Sequence, residues 1–307
     1  MKETFGQKTR RSHKRNQRVV MFWCAFVFAF VIAGVWLFRG TLFQNDSGAS
    51  SSGTNQSRHD ACGTADSRQK STDVTQAPMD HEVWQKLQDL VSRDQRVQQV
   101  IDNCEIYPED ILKMLSRNLD MLNFVLEYPE KVGQVFAETV GEVEGGEVPL
   151  LLQYDQRWGY GDYGNSSVAV SGCGPACLSM VITSLTGDHT ITPYVVAQYA
   201  SEQGYFVPGA GTAWTLMSEG AKHFGVIGEE LPLTKSIMEG VLKEGRPIIC
   251  SMRPGDFTTT GHFIVITGIK DGQFTVNDPN STERSNMLWD YDTLKPQISN
   301  LWAFQAL

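Results

Sequence analysis

Residues 171–180 read SGCGPACLSM and place a cysteine between two glycines, followed by a proline and a run of apolar residues. Pro175 suits the first turn of a helix, so we expect a buried helix to begin at Cys173 and to end at Gly187. A thiol at a helix N-terminus lies near free backbone amides, which favour its ionised form and could bind an oxyanion. For an isolated Gly-Cys-Gly, a small buried residue at a tight turn is the alternative interpretation.

A second segment supplies a candidate base. Residues 259–280 read TTGHFIVITGIKDGQFTVNDPN, which predicts two strands joined by a hairpin at Asp271-Gly272. His262 opens the first strand and Asp278 closes the second. A base and the group that orients it could therefore meet at this end of the hairpin.

The register of this hairpin determines which side chain reaches the histidine. A strict two-residue turn opposes Asp278 to Val265 and puts Asn277 on the face of His262. A turn one residue different, for example with Gly272 at a bulge, pairs residue 264 with residue 278 and brings Asp278 to that face instead. We favour the bulged register and keep Asn277 as the alternative orienter.

The region from about residue 147 to residue 307 is predicted to be an α+β domain. Helical patterns in its first half are followed by β-branched and aromatic runs in its second half. The predicted helices after Gly187 cover 193–203, 213–224 and 235–244, and the predicted strands are PIICSM (247–252), HFIVITGI (262–269) and FTVND (274–278). VPLLLQ (148–153) predicts a short buried strand or extended segment.

A small helical region is predicted over residues 81–140. Apolar residues recur at helical spacing within 83–101, which indicates one helix. The same spacing within 107–129 indicates a second helix, with Pro129 as its terminator.

The N-terminal part of the chain has a different character. Residues 19–38, VVMFWCAFVFAFVIAGVWLF, form an uncharged apolar run long enough to span a bilayer as a helix. The basic segment 1–18 precedes it and predicts a cytoplasmic N-terminus, with the rest of the chain outside. The length of the run favours an uncleaved single-pass anchor over a signal peptide. Residues 39–80 are poor in large apolar side chains and predict a flexible linker.

The charge distribution argues against nucleic acid as a partner. The net charge is −9, but residues 1–39 hold eight Lys or Arg and one Glu, so the remainder carries −16. Phosphate binding needs basic patches, which so acidic a body does not favour. The six cysteines do not have the dense spacing of a small disulfide-bonded domain.

The motifs GCGPACLSM, GHFIVITG and VNDP, in this order, resemble papain-fold cysteine peptidases related to bacteriocin leader-processing peptidases. VPLLLQYDQRW before them and GTAWTLM between them fit the same resemblance, which covers roughly 147–307. It implies that Cys173 is the nucleophile, that His262 is the general base and that Asp278 orients the histidine. Together with the helical region, it is similar to membrane-anchored members from Gram-positive bacteria.

The resemblance also implies a glutamine that helps to form the oxyanion hole. Gln153 is the best match and Gln156 is the second candidate. In transporter-fused relatives this glutamine lies closer to the cysteine, where Ser167 and its neighbours stand here.

Further residues are candidates for contact with substrate or for metal binding. We expect Gly172, Trp158 and Trp214 to contact substrate, although an aromatic in such a segment is more often part of the core. Cys177 lies one turn after Cys173 and is interpreted as core packing. A metal site with His262 lacks further ligands, and a disulfide between the two cysteines would be strained. No cofactor or metal is expected.

The sequence therefore predicts a membrane-anchored extracytoplasmic cysteine peptidase that hydrolyses a peptide or amide bond through Cys173, His262 and Asp278. Its substrate would be a peptide or a cell-wall peptide. Two alternatives stay open: a non-catalytic peptide- or wall-binding module on the same fold, and a peptidoglycan-directed amidase or acyl transferase.

Overall fold

The computed structural model describes residues 80–307, which lie within one compact unit. The predicted basic segment, membrane anchor and nearly all of the linker lie outside these residues. Among the residues described, no helix has the length and apolarity needed to cross a bilayer.

The first part of the described chain is helical, as predicted, but each of the two expected helices is divided. Between the first two helices, Asp94 accepts hydrogen bonds from the backbone and side chain of Arg96, which turns the chain. Before the last helix, Asn118 accepts from the backbone N–H of Asp120 and starts a 3₁₀ turn. The helices are α1 (His81–Val91), α2 (Val97–Asp102), α3 (Glu109–Leu115) and α4 (Leu122–Lys131), with 3₁₀ turns at Cys104–Ile106 and Leu119–Met121.

The prediction that Pro129 ends the last of these helices is wrong by two residues. Pro129 lies inside α4, which continues to Lys131. A proline removes one backbone donor, but the last turn is still closed by the hydrogen bond from Val132 N to Tyr128 O at 3.0 Å. The helix therefore tolerates the proline near its end.

The segment that follows is dominated by one long buried helix. The predicted start at Cys173 is confirmed, and Gly187 ends the helix in the left-handed conformation at φ 69°. The helix expected over 213–224 is instead a short helix followed by a 3₁₀ turn at Gly220–Phe224. The elements are β1 (Asp162–Tyr163), β2 (Ser166–Ser167), α5 (Val168–Ser171), α6 (Cys173–Thr186), α7 (Pro193–Glu202), β3 (Phe206–Val207), β4 (Gly211–Thr212) and α8 (Thr215–Ser218).

The last part of the chain forms a six-stranded antiparallel sheet in the order β5-β10-β6-β7-β8-β9. The three predicted strands are β6, β7 and β8, whereas β5 and β10 were not predicted. The elements are β5 (Val226–Glu230), α9 (Lys235–Lys243), β6 (Ile248–Met252), β7 (His262–Lys270), β8 (Gln273–Asn277), α10 (Thr282–Ser285), β9 (Leu288–Trp289), α11 (Tyr291–Leu294) and β10 (Ile298–Ala306), with a 3₁₀ turn at Lys295–Gln297.

Both faces of this sheet are covered, which explains why β7 is apolar without alternation. Phe263 and Val265 belong to the core that contains α6, whereas Ile264 and Ile266 belong to the core that contains residues of α9. Side chains on a strand point alternately to its two sides, so a strand buried on both sides has to be apolar throughout. The predicted α+β class is confirmed.

The helical region packs directly on the segment that precedes α6. Phe124 stacks on Tyr160 with ring centroids 4.3 Å apart, and the Tyr160 hydroxyl donates to the backbone oxygen of Phe124 at 3.2 Å. Tyr154 and Ala169 belong to the same apolar cluster. The domain boundary near 147 stays a prediction.

Candidate active site

Close packing explains why glycines flank Cys173 at the start of α6. A Cβ atom on Gly172 would lie 2.4 Å from the backbone oxygen of Val168. A Cβ atom on Gly174 would lie 2.7 Å from Thr212 Oγ1. Both glycines are buried, while Cys173 between them is partly exposed and is the first residue of the helix.

The β7–β8 hairpin has the register that brings Asp278 to the face of His262, as favoured above. The turn is the strict two-residue form that pairs Lys270 with Gln273, and the register then shifts between Ile266 and Gly268. The predicted displacement is confirmed, but it occurs in the strand at position 267 instead of in the turn.

His262 lies between Cys173 and Asp278. Its Nε2 atom is 2.8 Å from Asp278 Oδ1, and Cys173 lines the same cleft, close enough to raise the pKa of the imidazole. Because Nε2 is occupied by the carboxylate, Nδ1 is the ring nitrogen left for the thiol. The structure thus brings together the three residues expected to form a triad.

The charges around His262 favour its protonated form. Burial by itself would lower the pKa of the imidazole, but the charge and hydrogen bond of Asp278, and then Cys173, outweigh it and raise the pKa to about 10. Asp278 is fully buried, which would raise its pKa, yet the His262 and Arg284 cations hold that pKa below its ordinary value. The site therefore stabilises an imidazolium beside a carboxylate.

Gln153 is near Cys173 and Gln156 is not. Gln153 is buried, lines the same cleft as Cys173 and His262, and donates from Nε2 to the backbone oxygen of Ala169 at 2.5 Å. Gln156 instead donates to Glu127 Oε2 at 2.9 Å, within the helical region. Of the two candidates, only Gln153 lines the cleft that contains Cys173.

A cleft runs across the surface on both sides of Cys173. One part, of about 280 Å³, contains Gln153 and His262, and the other, of about 650 Å³, lies toward β4. Residues of α3 and of the turn after it, including Met114 and Arg117, line both parts. The helical region therefore forms one wall of the cleft, a role that its amphipathic pattern could not have revealed.

The predicted substrate contacts fare differently. The prediction that Trp158 contacts substrate is wrong. This side chain is completely buried in the core beside α6, where Nε1 donates to the backbone oxygen of Leu152 at 2.8 Å. Because the core encloses the indole ring, Trp158 cannot contact a substrate. Gly172 is buried, and close packing explains why it has no side chain. Trp214 is 48% exposed but is not among the described residues that line the two parts of the cleft. Contact of substrate with these two residues stays a prediction.

The other cysteines of the described chain are free thiols with structural surroundings. Cys177 and Cys250 are fully buried, and burial raises the pKa of each thiol. The core interpretation of Cys177 is confirmed. Within residues 80–307, no cluster of three or more His, Cys, Asp or Glu side chains is arranged to hold a metal ion.

Arg284 is a residue of this site that the sequence did not suggest. Its Nε atom donates to Asp278 Oδ2 at 2.5 Å, and it lines the cleft. Only the short spacing after the NDP motif could have hinted at it, because a one-turn helix returns the chain toward Asp278.

Comparisons with known proteins identify the family of the chain. The chain is similar over 52% of its length, and over 94% of the other chain, to the crystal structure of a protein described as a C39-like peptidase from Bacillus anthracis, with 12% identity and a TM-score of 0.31. A likeness of that size carries no argument here. No curated protein matches the chain. The profile of the Peptidase_C39 like family matches residues 146–305, more than half of the chain. The chain belongs to the Peptidase_C39 like family and carries a cysteine-peptidase-type domain.

Proposed function

We propose that this protein is a membrane-anchored extracytoplasmic cysteine peptidase that uses Cys173, His262 and Asp278 as its catalytic residues. The observation that carries the proposal is that Asp278 Oδ1 lies 2.8 Å from His262 Nε2, while His262 and Cys173 line the same cleft. Membership of a peptidase family supports the same conclusion.

The thiol of Cys173 transfers its proton to Nδ1 of His262, and the resulting thiolate attacks the carbonyl carbon of a peptide or amide bond. Asp278 holds the imidazolium through Nε2, which keeps Nδ1 directed at the sulfur. The imidazolium then protonates the leaving amine as the C–N bond breaks. Water, deprotonated by the same imidazole, hydrolyses the thioester and restores the thiol.

The oxyanion of the tetrahedral intermediate needs donors beside the sulfur. The free backbone amides at the start of α6 point toward such a charge, because Cys173 is the first helical residue. Gln153 Nε2 uses one of its two protons for Ala169, which leaves the second for the oxyanion. A pair of such donors is the usual arrangement for acyl transfer.

The open cleft favours an extended peptide over a small molecule as the substrate. It continues on both sides of Cys173, so residues before and after the scissile bond can bind at once. The apolar run at 19–38 and the basic residues before it support a membrane anchor with the enzyme outside, where peptides of the cell wall are the accessible substrates.

The function can be tested with the full chain in detergent micelles. A mixture of synthetic peptides and purified wall peptides is incubated with wild type, Cys173→Ala and His262→Ala, and the products are identified by mass spectrometry. We expect cleavage by wild type only. Products that retain an added amine in place of water would identify an acyl transferase instead.

A binding module makes the opposite prediction. If the Cys173→Ala variant retains the full biological activity of wild type and wild type cleaves none of the peptides, the catalytic proposal is wrong. Membrane anchoring is tested separately by alkaline extraction of membranes, which should release a chain lacking residues 19–38 but not the full chain.

A further inference from the structure

Asp278 is held from both of its carboxylate oxygens. Oδ1 accepts from the Asn280 backbone N–H at 2.8 Å and lies 2.8 Å from His262 Nε2. Oδ2 accepts from Arg284 Nε at 2.5 Å. Because the carboxylate is fully buried, loss of the arginine would leave Oδ2 without this partner in the interior.

Arg284 is itself fixed in place by the turn that follows the aspartate. Its backbone N–H donates to Ser281 Oγ at 3.1 Å, and its backbone oxygen accepts from Trp289 Nε1 at 3.1 Å. The next residue, Ser285, accepts a hydrogen bond from the Asp278 backbone N–H at 2.9 Å. Helix α10 thus holds both the main chain and the side chain of the aspartate.

Among residues 80–307, Arg284 is the one permanent cation that faces Asp278. Tyr154 and Cys177 are close enough to feel its charge, but burial raises the pKa of both and keeps them neutral. Cys173 lies beyond His262, which carries a positive charge only while it is protonated. Arg284 supplies a charge that does not depend on the state of the histidine.

We propose that Arg284 is a positioning residue of the active site: its guanidinium fixes Asp278 Oδ2 so that Oδ1 stays ionised and directed at His262. This role rests on the proposed function, since it acts through the Asp278–His262 pair. Without the guanidinium, Asp278 takes up a proton at higher pH. The imidazolium then loses its partner and the thiolate is lost with it.

The test measures alkylation of Cys173 by iodoacetamide as a function of pH, with peptide mass spectrometry to report on this cysteine alone. The full chain is compared with Arg284→Gln, Arg284→Lys and a matched control, Arg246→Gln. Arg246 forms an ion pair of the same length, 2.5 Å, with the exposed Glu229, and is not among the residues that line the cleft.

We expect the acid limb of the Arg284→Gln profile to move to higher pH by about one unit. Arg284→Lys should lie between this variant and wild type, because an ammonium restores the charge but not the geometry. The control should match wild type. An unshifted acid limb in a folded Arg284→Gln variant overturns the proposal.

Two further outcomes are decisive. If Arg284→Gln does not fold, Arg284→Lys decides: an acid limb displaced to higher pH than that of wild type supports the role, and an unshifted one overturns it. If wild-type Cys173 reacts no faster than Cys104, or if His262→Ala leaves its rate unchanged, the proposed function fails and the positioning role fails with it.

Discussion

Asn277 and Asp278 are neighbours in the chain, yet their side chains serve different parts of the structure. Asp278 Oδ1 lies 2.8 Å from His262 Nε2, whereas Asn277 Nδ2 donates to the backbone oxygen of Val148 at 2.9 Å. The register of the β7–β8 hairpin separates them, because the shift near position 267 sets which of the two shares a face with His262.

Replacing Asp278 with Asn should lower the reactivity of Cys173 at neutral pH by on the order of 10²- to 10⁴-fold, the usual range for loss of acid–base assistance. The amide keeps the shape of the carboxylate but cannot stabilise the imidazolium. The rate of alkylation by iodoacetamide, followed by mass spectrometry of the peptide that contains Cys173, measures the loss.

Asn277→Ala is the matched control for this variant. It removes a hydrogen bond to Val148 but no contact with His262, so the alkylation rate should stay within about twofold of wild type. A larger loss in Asn277→Ala than in Asp278→Asn would show that the asparagine, and not the aspartate, orients the histidine.

The raised pKa of His262 predicts a specific dependence on the charge of the electrophile. Iodoacetate is an anion and is attracted by the imidazolium beside the thiolate, whereas iodoacetamide is neutral. The ratio of the two alkylation rates at Cys173 should therefore stay constant above neutral pH and fall as pH rises through about 10, where His262 loses its proton. A ratio that falls near the ordinary value of 6.5 would contradict this assignment.

The same pair links pH to folding stability in two directions. The His262 pKa is raised on folding, so its contribution is complete below 6.5 and is lost as pH rises through about 10. The Asp278 pKa is lowered, so its contribution is present above 3.8 and is lost as pH falls through the folded value. The melting temperature should therefore fall as pH drops below 3.8 and as pH rises from 6.5 through about 10. Both decreases should be smaller in a variant that lacks the two side chains.

The sequence was most informative where a local rule determined the structure. Pro175 and Gly187 bounded α6 correctly, and counting positions around the hairpin reduced the candidate partners of His262 to Asn277 and Asp278. Local patterns did not identify β10, because a strand at the end of the chain joins the sheet by pairing with β5 and β6, which are distant in sequence. Local patterns did not identify Arg284 either, because its contact with Asp278 depends on how the one-turn helix α10 folds back toward the aspartate.

Gln153 should affect hydrolysis but not alkylation. An oxyanion forms when the thiolate attacks a carbonyl, but none forms when it displaces iodide. Gln153→Ala should therefore lower peptide cleavage by about 10²-fold while leaving the iodoacetamide rate of Cys173 near that of wild type. Gln156→Ala, which only breaks contacts to the helical region, should change neither rate. An equal loss of the cleavage rate and the alkylation rate in Gln153→Ala would show that this residue acts on the reactivity of the Cys173 thiol and not on the oxyanion.

Two helical glycines should respond to alanine in opposite directions. Gly174 in α6 has no space for a methyl group, because a Cβ atom would lie 2.7 Å from Thr212 Oγ1, which the Tyr163 hydroxyl also contacts. Gly174→Ala should therefore lower the free energy of unfolding by about 1–3 kcal/mol. Gly240 in α9 has nothing within 4 Å of such an atom, so Gly240→Ala should raise it by roughly 0.5–1 kcal/mol. Thermal or urea unfolding distinguishes these results, and equal effects of the two variants would contradict the packing explanation.

The helical wall of the cleft should influence substrate binding more than chemistry. Arg117 lines the cleft on both sides of Cys173, and its Nη1 atom donates to Thr259 Oγ1 at 3.3 Å across it. Arg117→Ala should raise the KM of a cleaved peptide by about three- to tenfold, because a groove contact is lost, and should leave the iodoacetamide rate of Cys173 unchanged. Arg93→Ala, at an exposed position after α1 that is not among the cleft residues, is the control and should change neither quantity. A small electrophile and a long peptide share only the sulfur, so the two assays separate a contact in the groove from an effect on the reacting groups. A fall in kcat without a change in KM would assign the effect of Arg117 to the reacting groups.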